Sequence, residues 1–188
     1  MNIHIMNNIG DLEISLLGYL TDKPMHGYEL HQKVSDLKGF GIVWHLKIGK
    51  LYAMLNKLHK NQLVDVENTQ DGNRPVRNEY RLTDKGREIL QQWIETPVQH
   101  GRDIRHLFLM KLFFSLDEDR EKTLRLIHNQ QSECQSWQKR FESNLSSLKS
   151  DNDNSMSFQL LVNQYRLTQV KADLDWLSWI ARKISEEK

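Results

Sequence analysis

Ile48-Gly49-Lys50-Leu51-Tyr52-Ala53-Met54-Leu55-Asn56-Lys57-Leu58-His59-Lys60-Asn61 is the stretch on which the fold turns. Ile48, Leu51, Leu55 and Leu58 recur at helical spacing and predict one buried face, while Lys50, Lys57, His59 and Lys60 give the other face a basic character. Leu63-Val64-Asp65-Val66-Glu67 then alternates apolar and acidic residues, as a strand buried on one side does. The polar run from Asn68 to Asn78 contains Asp71-Gly72-Asn73, Arg74-Pro75 and Arg77, and Glu79-Tyr80-Arg81-Leu82 alternates again. The pair reads as a β-hairpin with a long basic loop. Thr83 offers a helix N-cap, with Asp84 favourable to the dipole in the first turn of a helix running through Ile89, Leu90, Trp93 and Ile94 to Thr96-Pro97.

Upstream, Leu12, Leu16, Leu17 and Leu20 mark a first helix, and Lys23-Pro24-Met25-His26-Gly27 breaks it. Tyr28, Leu30, Val34 and Leu37 mark a second helix to Lys38, which Gly39-Phe40-Gly41 ends. Three helices, a strand, a basic loop, a strand and a helix are the order of a winged helix-turn-helix. Beyond Pro97, Val98 to Asp103 reads as a linker and Leu107 to Phe114 as a short apolar segment. Asp117 is placed to cap a long helix carrying Leu124, Ile127, Cys134, Trp137, Phe141, Leu145 and Leu148 on one face. Asp151-Asn152-Asp153-Asn154-Ser155 is a polar break. The last helix has a near-heptad seam of Leu160, Leu167, Val170, Leu174, Leu177, Ala181 and Ile184, and a second apolar side of Phe158, Leu161, Tyr165, Trp176 and Ile180. Two long antiparallel helices have little to pack against within one chain, so a second copy is expected to cover them. The fold class is therefore mainly α, with a winged helix-turn-helix over residues 1–96 and a long-helix dimerisation domain over 97–188.

The 188 residues are 38% hydrophobic and 27% charged, with three Pro and nine Gly, which excludes collagen-like and low-complexity classes. No stretch approaches the roughly 18 apolar residues of a membrane span. The first ten residues lack the basic start and cleavage site of a signal peptide. The lone cysteine, Cys134, fits a reducing compartment and a buried structural thiol. A cytoplasmic protein without membrane contact is expected. Net charge is +1, but residues 44–87 carry nine basic and five acidic side chains, whereas residues 1–43 carry three and five. The positive charge is local, as a binding face requires. The eight histidines are dispersed, no serine stands in a G-x-S-x-G context and no Gly-rich phosphate loop is present. No enzyme, metal or cofactor is indicated.

Leu17-Gly18-Tyr19-Leu20, His26-Gly27-Tyr28-Glu29-Leu30, the Ile48–Leu58 stretch, Arg74-Pro75 and Tyr80-Arg81-Leu82-Thr83-Asp84-Lys85-Gly86-Arg87 together resemble the PadR family of bacterial transcriptional regulators. Arg102-Asp103 and Phe108-Leu109-Met110-Lys111-Leu112-Phe113-Phe114 resemble the opening of the longer, virulence-activator-like C-terminal domain of one PadR branch. The resemblance implies a homodimeric, sequence-specific regulator, a repressor, that binds double-stranded DNA at a pseudo-palindromic operator. Lys47, Lys50, Tyr52, Asn56 and Lys57 of the third helix are candidate DNA contacts, with Arg74 and Arg77 in the wing. By resemblance the family has small or hydroxyl residues near Lys47 and Lys50, so lysines there strengthen backbone attraction over base readout. Each residue also has an ordinary alternative. Tyr52 would pack on a neighbouring helix, Lys57 and Lys60 would solvate a helix face, and the arginines would belong to a solvated hairpin. Gly27 would serve the turn between helices. The resemblance also allows a small hydrophobic or aromatic effector, for which Trp93, Trp137 and Trp176 are candidates; the same rings serve equally as core. A rival class is a helical interaction protein whose winged helix binds a protein partner.

Overall fold

The computed structural model describes residues 9–37, 39–69, 77–116, 119–150 and 157–186. The described chain falls into two compact units, one of residues 9–95 and 109–116, the other of residues 96–108 and 119–186.

The first unit contains α1 (Asp11–Gly18), β1 (Met25–His26), α2 (Gly27–Val34), a 3-10 turn (Phe40–Ile42), α3 (Ile48–Lys60), β2 (Val64–Thr69), β3 (Arg77–Leu82), α4 (Asp84–Glu95) and α5 (Leu109–Leu116). The sheet is antiparallel in the order β1-β3-β2. Sequence alternation finds only two of its strands. Met25 and His26 are too short a run to alternate, yet they pair with Tyr80 and Glu79 and make β3 the central strand. Apolar burial explains the helices: Leu16 and Leu17 of α1, Leu30 and Val34 of α2, and Leu51, Leu55 and Leu58 of α3 are completely buried. Met54 joins the α3 face, whereas Ile48, expected on it, is 42% exposed at the first turn. The second helix ends at Val34 rather than near Lys38, because the amides of Gly39 and Gly41 both turn back to the Asp36 carbonyl. Lys38 lies outside the described residues.

Thr83 does cap α4: its Oγ1 accepts from the Gly86 amide at 3.0 Å and donates to the Gln62 carbonyl at 2.9 Å. The far end of α3 closes with Leu63 N–H donating to the Leu58 carbonyl and Gln62 N–H to the His59 carbonyl, which places Gln62 in the left-handed region at φ 61°. After Glu95 the chain contributes residues 96–108 to the second unit and returns with α5. That helix was expected to belong beyond a boundary at 96/97; Met110 and Phe114 instead bury in the first unit, where Gly18 leaves room for the Phe114 ring. A Cβ at Gly18 would come within 2.5 Å of it.

The second unit is built on α6 (Arg120–Ser150) and α7 (Phe158–Glu186), with a helical turn at Gly101–Asp103 and a π-helical turn at Ile104–Phe108. The stretch expected to be a linker is anchored. Val98 is buried, and the fully buried Gln130 amide holds both its backbone groups, accepting from the N–H at 2.8 Å and donating to the carbonyl at 3.3 Å. The cap of α6 is Asp119, whose carboxylate accepts from the Glu121 amide at 2.9 Å; Asp117 lies outside the described residues. Leu126, Ile127, Cys134, Trp137 and Leu145 of α6 are buried in this unit, as are Leu167, Val170, Leu177 and Ile180 of α7. The α7 seam is thus filled largely from within the chain; on the other apolar side Ile180 is also buried and Trp176 meets Phe108, whereas Phe158, Leu161 and Tyr165 stay exposed.

Candidate nucleic-acid interface

Helix α3 turns Leu51, Met54, Leu55 and Leu58 inward, which leaves a face centred on Gly49, Ala53, Asn56 and Lys60, flanked by Lys50 and Tyr52. A Cβ at Gly49 would meet nothing within 4 Å, so no packing in this chain calls for glycine there. Gly49 and Ala53 keep the exposed face shallow, and a shallow helix face can approach a groove closely. Neither stood out in the sequence. The absence of any apolar role for Gly49 on a regular amphipathic helix was the available signal.

The expected contact residues divide. Lys47, the residue before α3, and Lys50 in its first turn are exposed, and neither forms an ion pair with a described residue. Asn56 is exposed on the same face. Lys57 stands apart from this set: its ammonium donates to Glu13 of α1 at 2.9 Å, because α3 presents it at the edge nearest that acidic helix. Its charge is paired within the fold, while the side chain remains 38% exposed. His59 likewise faces inward at one nitrogen, with Nδ1 3.0 Å from the Val64 carbonyl.

Tyr52 combines both roles that its sequence position allowed. Its ring lies against the start of α2, where a Cβ at Gly27 would come within 2.5 Å of the ring and 3.0 Å of the hydroxyl. Yet the residue remains 38% exposed. Gly27 is therefore small because Tyr52 crosses it, and not for the turn alone. Beside Tyr52, the phenol of Tyr80 is pushed above its ordinary pKa, first by burial, with a hydrogen bond to Asn78 acting against it.

The wing is the β2–β3 ribbon. Asp65 pairs with Arg81, Glu67 with Glu79 and Thr69 with Arg77. Arg81 sits 3.6 Å from Glu67, an exposed pair worth little to stability. Arg77 opens β3 and is exposed, next to Asn78, whose carbonyl is 3.4 Å from His26 Nδ1. The structure thus brings Arg77 to the α2 and α3 side of the ribbon. Arg74 lies outside the described residues.

Of the three candidate effector residues, Trp93 and Trp137 are placed in cores and Trp176 is half-buried. Trp93 is 1% exposed in the first unit and donates its Nε1 proton to Asp11 at 2.7 Å. Trp137 is buried in the second unit, close to Gly101. Trp176 meets Phe108 edge to face, with centroids 5.9 Å apart. Nearby in sequence, burial lifts the Asp173 carboxyl to about 6 and the Cys134 thiol to about 11. No group of His, Cys, Asp or Glu among the described residues could hold a metal ion, and no described helix is long and apolar enough to cross a membrane.

Two family models match the chain. The transcriptional regulator PadR-like family covers residues 16–92, and the virulence activator alpha C-terminal family covers residues 104–185. The chain is 23% identical over 181 residues to the negative transcriptional regulator PadR of Bacillus subtilis (strain 168), an alignment covering 94% of this chain and 98% of that one. It is also similar to the crystal structure of Bacillus subtilis PadR in complex with operator DNA, at 22% identity and a TM-score of 0.45, covering 90% of this chain and 97% of the other. The structure of the same protein with p-coumaric acid aligns at 22% identity and a TM-score of 0.40, covering 94% and 97%. Members of this family are regulators of transcription and not enzymes. With the two matched regions lying in tandem along it, the chain belongs to the PadR-like family of transcriptional regulators, in the branch that carries the virulence-activator alpha C-terminal domain.

Proposed function

We propose that this chain is a cytoplasmic, homodimeric repressor that reads a pseudo-palindromic operator with one winged helix per subunit. The observation that carries the proposal is the open face of α3, with Gly49, Lys50, Ala53 and Asn56 exposed and the basic start of β3 beside it. Lys47, Lys50, Tyr52, Asn56 and Arg77 form the described part of that surface, and Arg74 is assigned to the wing on sequence alone. Repression accords with the name of the relative aligned over nearly its full length.

Dimerisation is assigned to the second unit. Phe158, Leu161, Tyr165 and Trp179 lie along one side of α7 and are from 47% to 80% exposed, too much apolar surface on one helix for a face that meets only water. Two helices α3 docked in successive turns of one groove face must stand about 34 Å apart. A signal received in the second unit, at the Phe108, Trp137 and Trp176 rings, would act by changing that separation.

The test is fluorescence anisotropy of the full-length protein with its own upstream duplex and an unrelated duplex, at two salt concentrations. Tighter binding to the upstream duplex that persists at the higher salt supports the proposal. Absence of binding to either duplex at low salt overturns it and moves a protein partner to first place.

A further inference from the structure

A cleft of about 620 Å³ opens in the first unit between β1, the start of α2, α3 and β3, lined by His26, Tyr28, Glu29, Tyr52, Arg77 and Asn78. Its chemistry is dominated by donors. Tyr28 is 61% exposed although the helical pattern of α2 would allow it to be buried, and Tyr52 contributes a second phenol. Arg77 brings a guanidinium. His26 directs Nδ1–H toward the Asn78 carbonyl, and its second ring nitrogen is a donor in the imidazolium form. The one carboxylate, Glu29, is paired with Lys23 at 3.0 Å, so it opposes an incoming anion less than a bare acid would.

A phosphodiester asks for this set: one delocalised negative charge and two acceptor oxygens with no proton to give. The cleft is larger than a phosphate alone and leaves room for a flanking deoxyribose against the exposed Tyr28 ring. Tyr52 belongs both to the cleft and to the α3 surface. A strand whose bases faced α3 would therefore carry its backbone across the cleft. We infer that the cleft seats one phosphodiester of the operator backbone, with His26 and Tyr28 as contact residues in addition to Tyr52 and Arg77. The inference rests on the DNA-binding function proposed above.

The test uses full-length protein and the upstream duplex, with single neutral methylphosphonate linkages walked along each strand. One linkage beside each half-site should weaken wild-type binding roughly tenfold, the usual scale of a charge-assisted hydrogen bond. For the double variant Tyr28→Phe, His26→Gln, the penalty at that position should shrink, the remainder being the share of Tyr52 and Arg77, while penalties elsewhere persist unchanged. Both side chains are outside the buried core, so an unchanged melting temperature serves as the control on folding. A variant with the same penalty as wild type at every linkage overturns the inference and leaves the DNA-binding function standing. Failure of the wild type to bind the unmodified duplex overturns that function first. Inorganic phosphate that protects wild type but not the variant against heat, with duplex binding equal in both, would assign the cleft to a free anion and also overturn the inference.

Discussion

The ammonium of Lys111 donates to the backbone carbonyl of Trp93 at 2.5 Å and lies 4.7 Å from the centre of that residue's ring. Trp93 stands in the last turn of α4, where carbonyls lack partners within the helix, so Lys111 supplies a cap from α5 and meets the negative end of the helix dipole. The indole N–H of Trp93 in turn donates to Asp11 of α1. A buried cation, an aromatic ring and a carboxylate thereby tie α1, α4 and α5 together. Burial pulls the Lys111 pKa down to about 8, with the charge of Asp11 acting in the opposite direction.

The first expected outcome follows from that lowered value. In the unfolded chain Lys111 titrates near 10.5, so between about 8 and 10.5 the unfolded state binds more protons than the folded one. Stability therefore rises with pH across this window, and the full cost of burying the cation is present below it. Urea unfolding of wild type and Lys111→Met at pH 7.5 and 9.5 isolates the contribution. Wild type should gain relative to the variant, by at most about 1.4 kcal/mol per pH unit. An unchanged difference between the two pH values would contradict the assignment.

Gly27→Ala should damage the winged helix through Tyr52. The added methyl would meet the ring at 2.5 Å, and overpacking of this sort costs about 1–3 kcal/mol. Truncation of the ring removes the conflict, so the double variant Gly27→Ala, Tyr52→Ala should be hardly less stable than Tyr52→Ala alone. Thermal unfolding of the four proteins in this cycle measures the coupling. Additive losses would show that Tyr52 does not rest on Gly27.

Much of the first unit was legible because apolar spacing and turn chemistry agree there. The α3 face, the Thr83 cap and the β2–β3 ribbon all follow from local pattern. What local pattern misses is non-local. The strand at Met25 exists only because β3 is there to pair with it, and Lys57 is drawn to a glutamate 44 positions away. Gln130 reads as an ordinary polar residue of a long helix, yet it clamps Val98. The candidate interface was legible on α3, where exposure follows from helix phase. It was not legible at His26 and Tyr28, which reach the cleft through the β1–β3 pairing.

Gln62→Gly should stabilise the protein. Gln62 occupies the position after the α3 C-cap at φ 61°, where a side chain is strained and glycine is not. The gain is reduced by the greater freedom of glycine in the unfolded chain, leaving an expected increase of about 0.5–1 kcal/mol. Chemical denaturation at constant m-value checks it. A loss of stability would mean that the Gln62 side chain holds a contact outweighing the backbone strain.

The bare side of α7 gives the last expectation. Phe158, Leu161 and Tyr165 fall on one stripe near the start of the helix, and Trp179 continues it near the end. Burying a side chain of this size against a second copy is worth about 1.5–3 kcal/mol when complete, so several per subunit are enough to drive association. Wild type should sediment as a dimer at micromolar concentration. Leu161→Asp combined with Tyr165→Asp should sediment as a monomer, because a dimer would now have to bury two uncompensated carboxylates per chain. Its far-ultraviolet circular dichroism should stay helical, since both positions face away from Leu167, Val170 and Leu177 inside the unit. The monomer should also bind the upstream duplex far more weakly, having lost the joint attachment of two winged helices. A variant that remains dimeric would place the subunit contact on another surface.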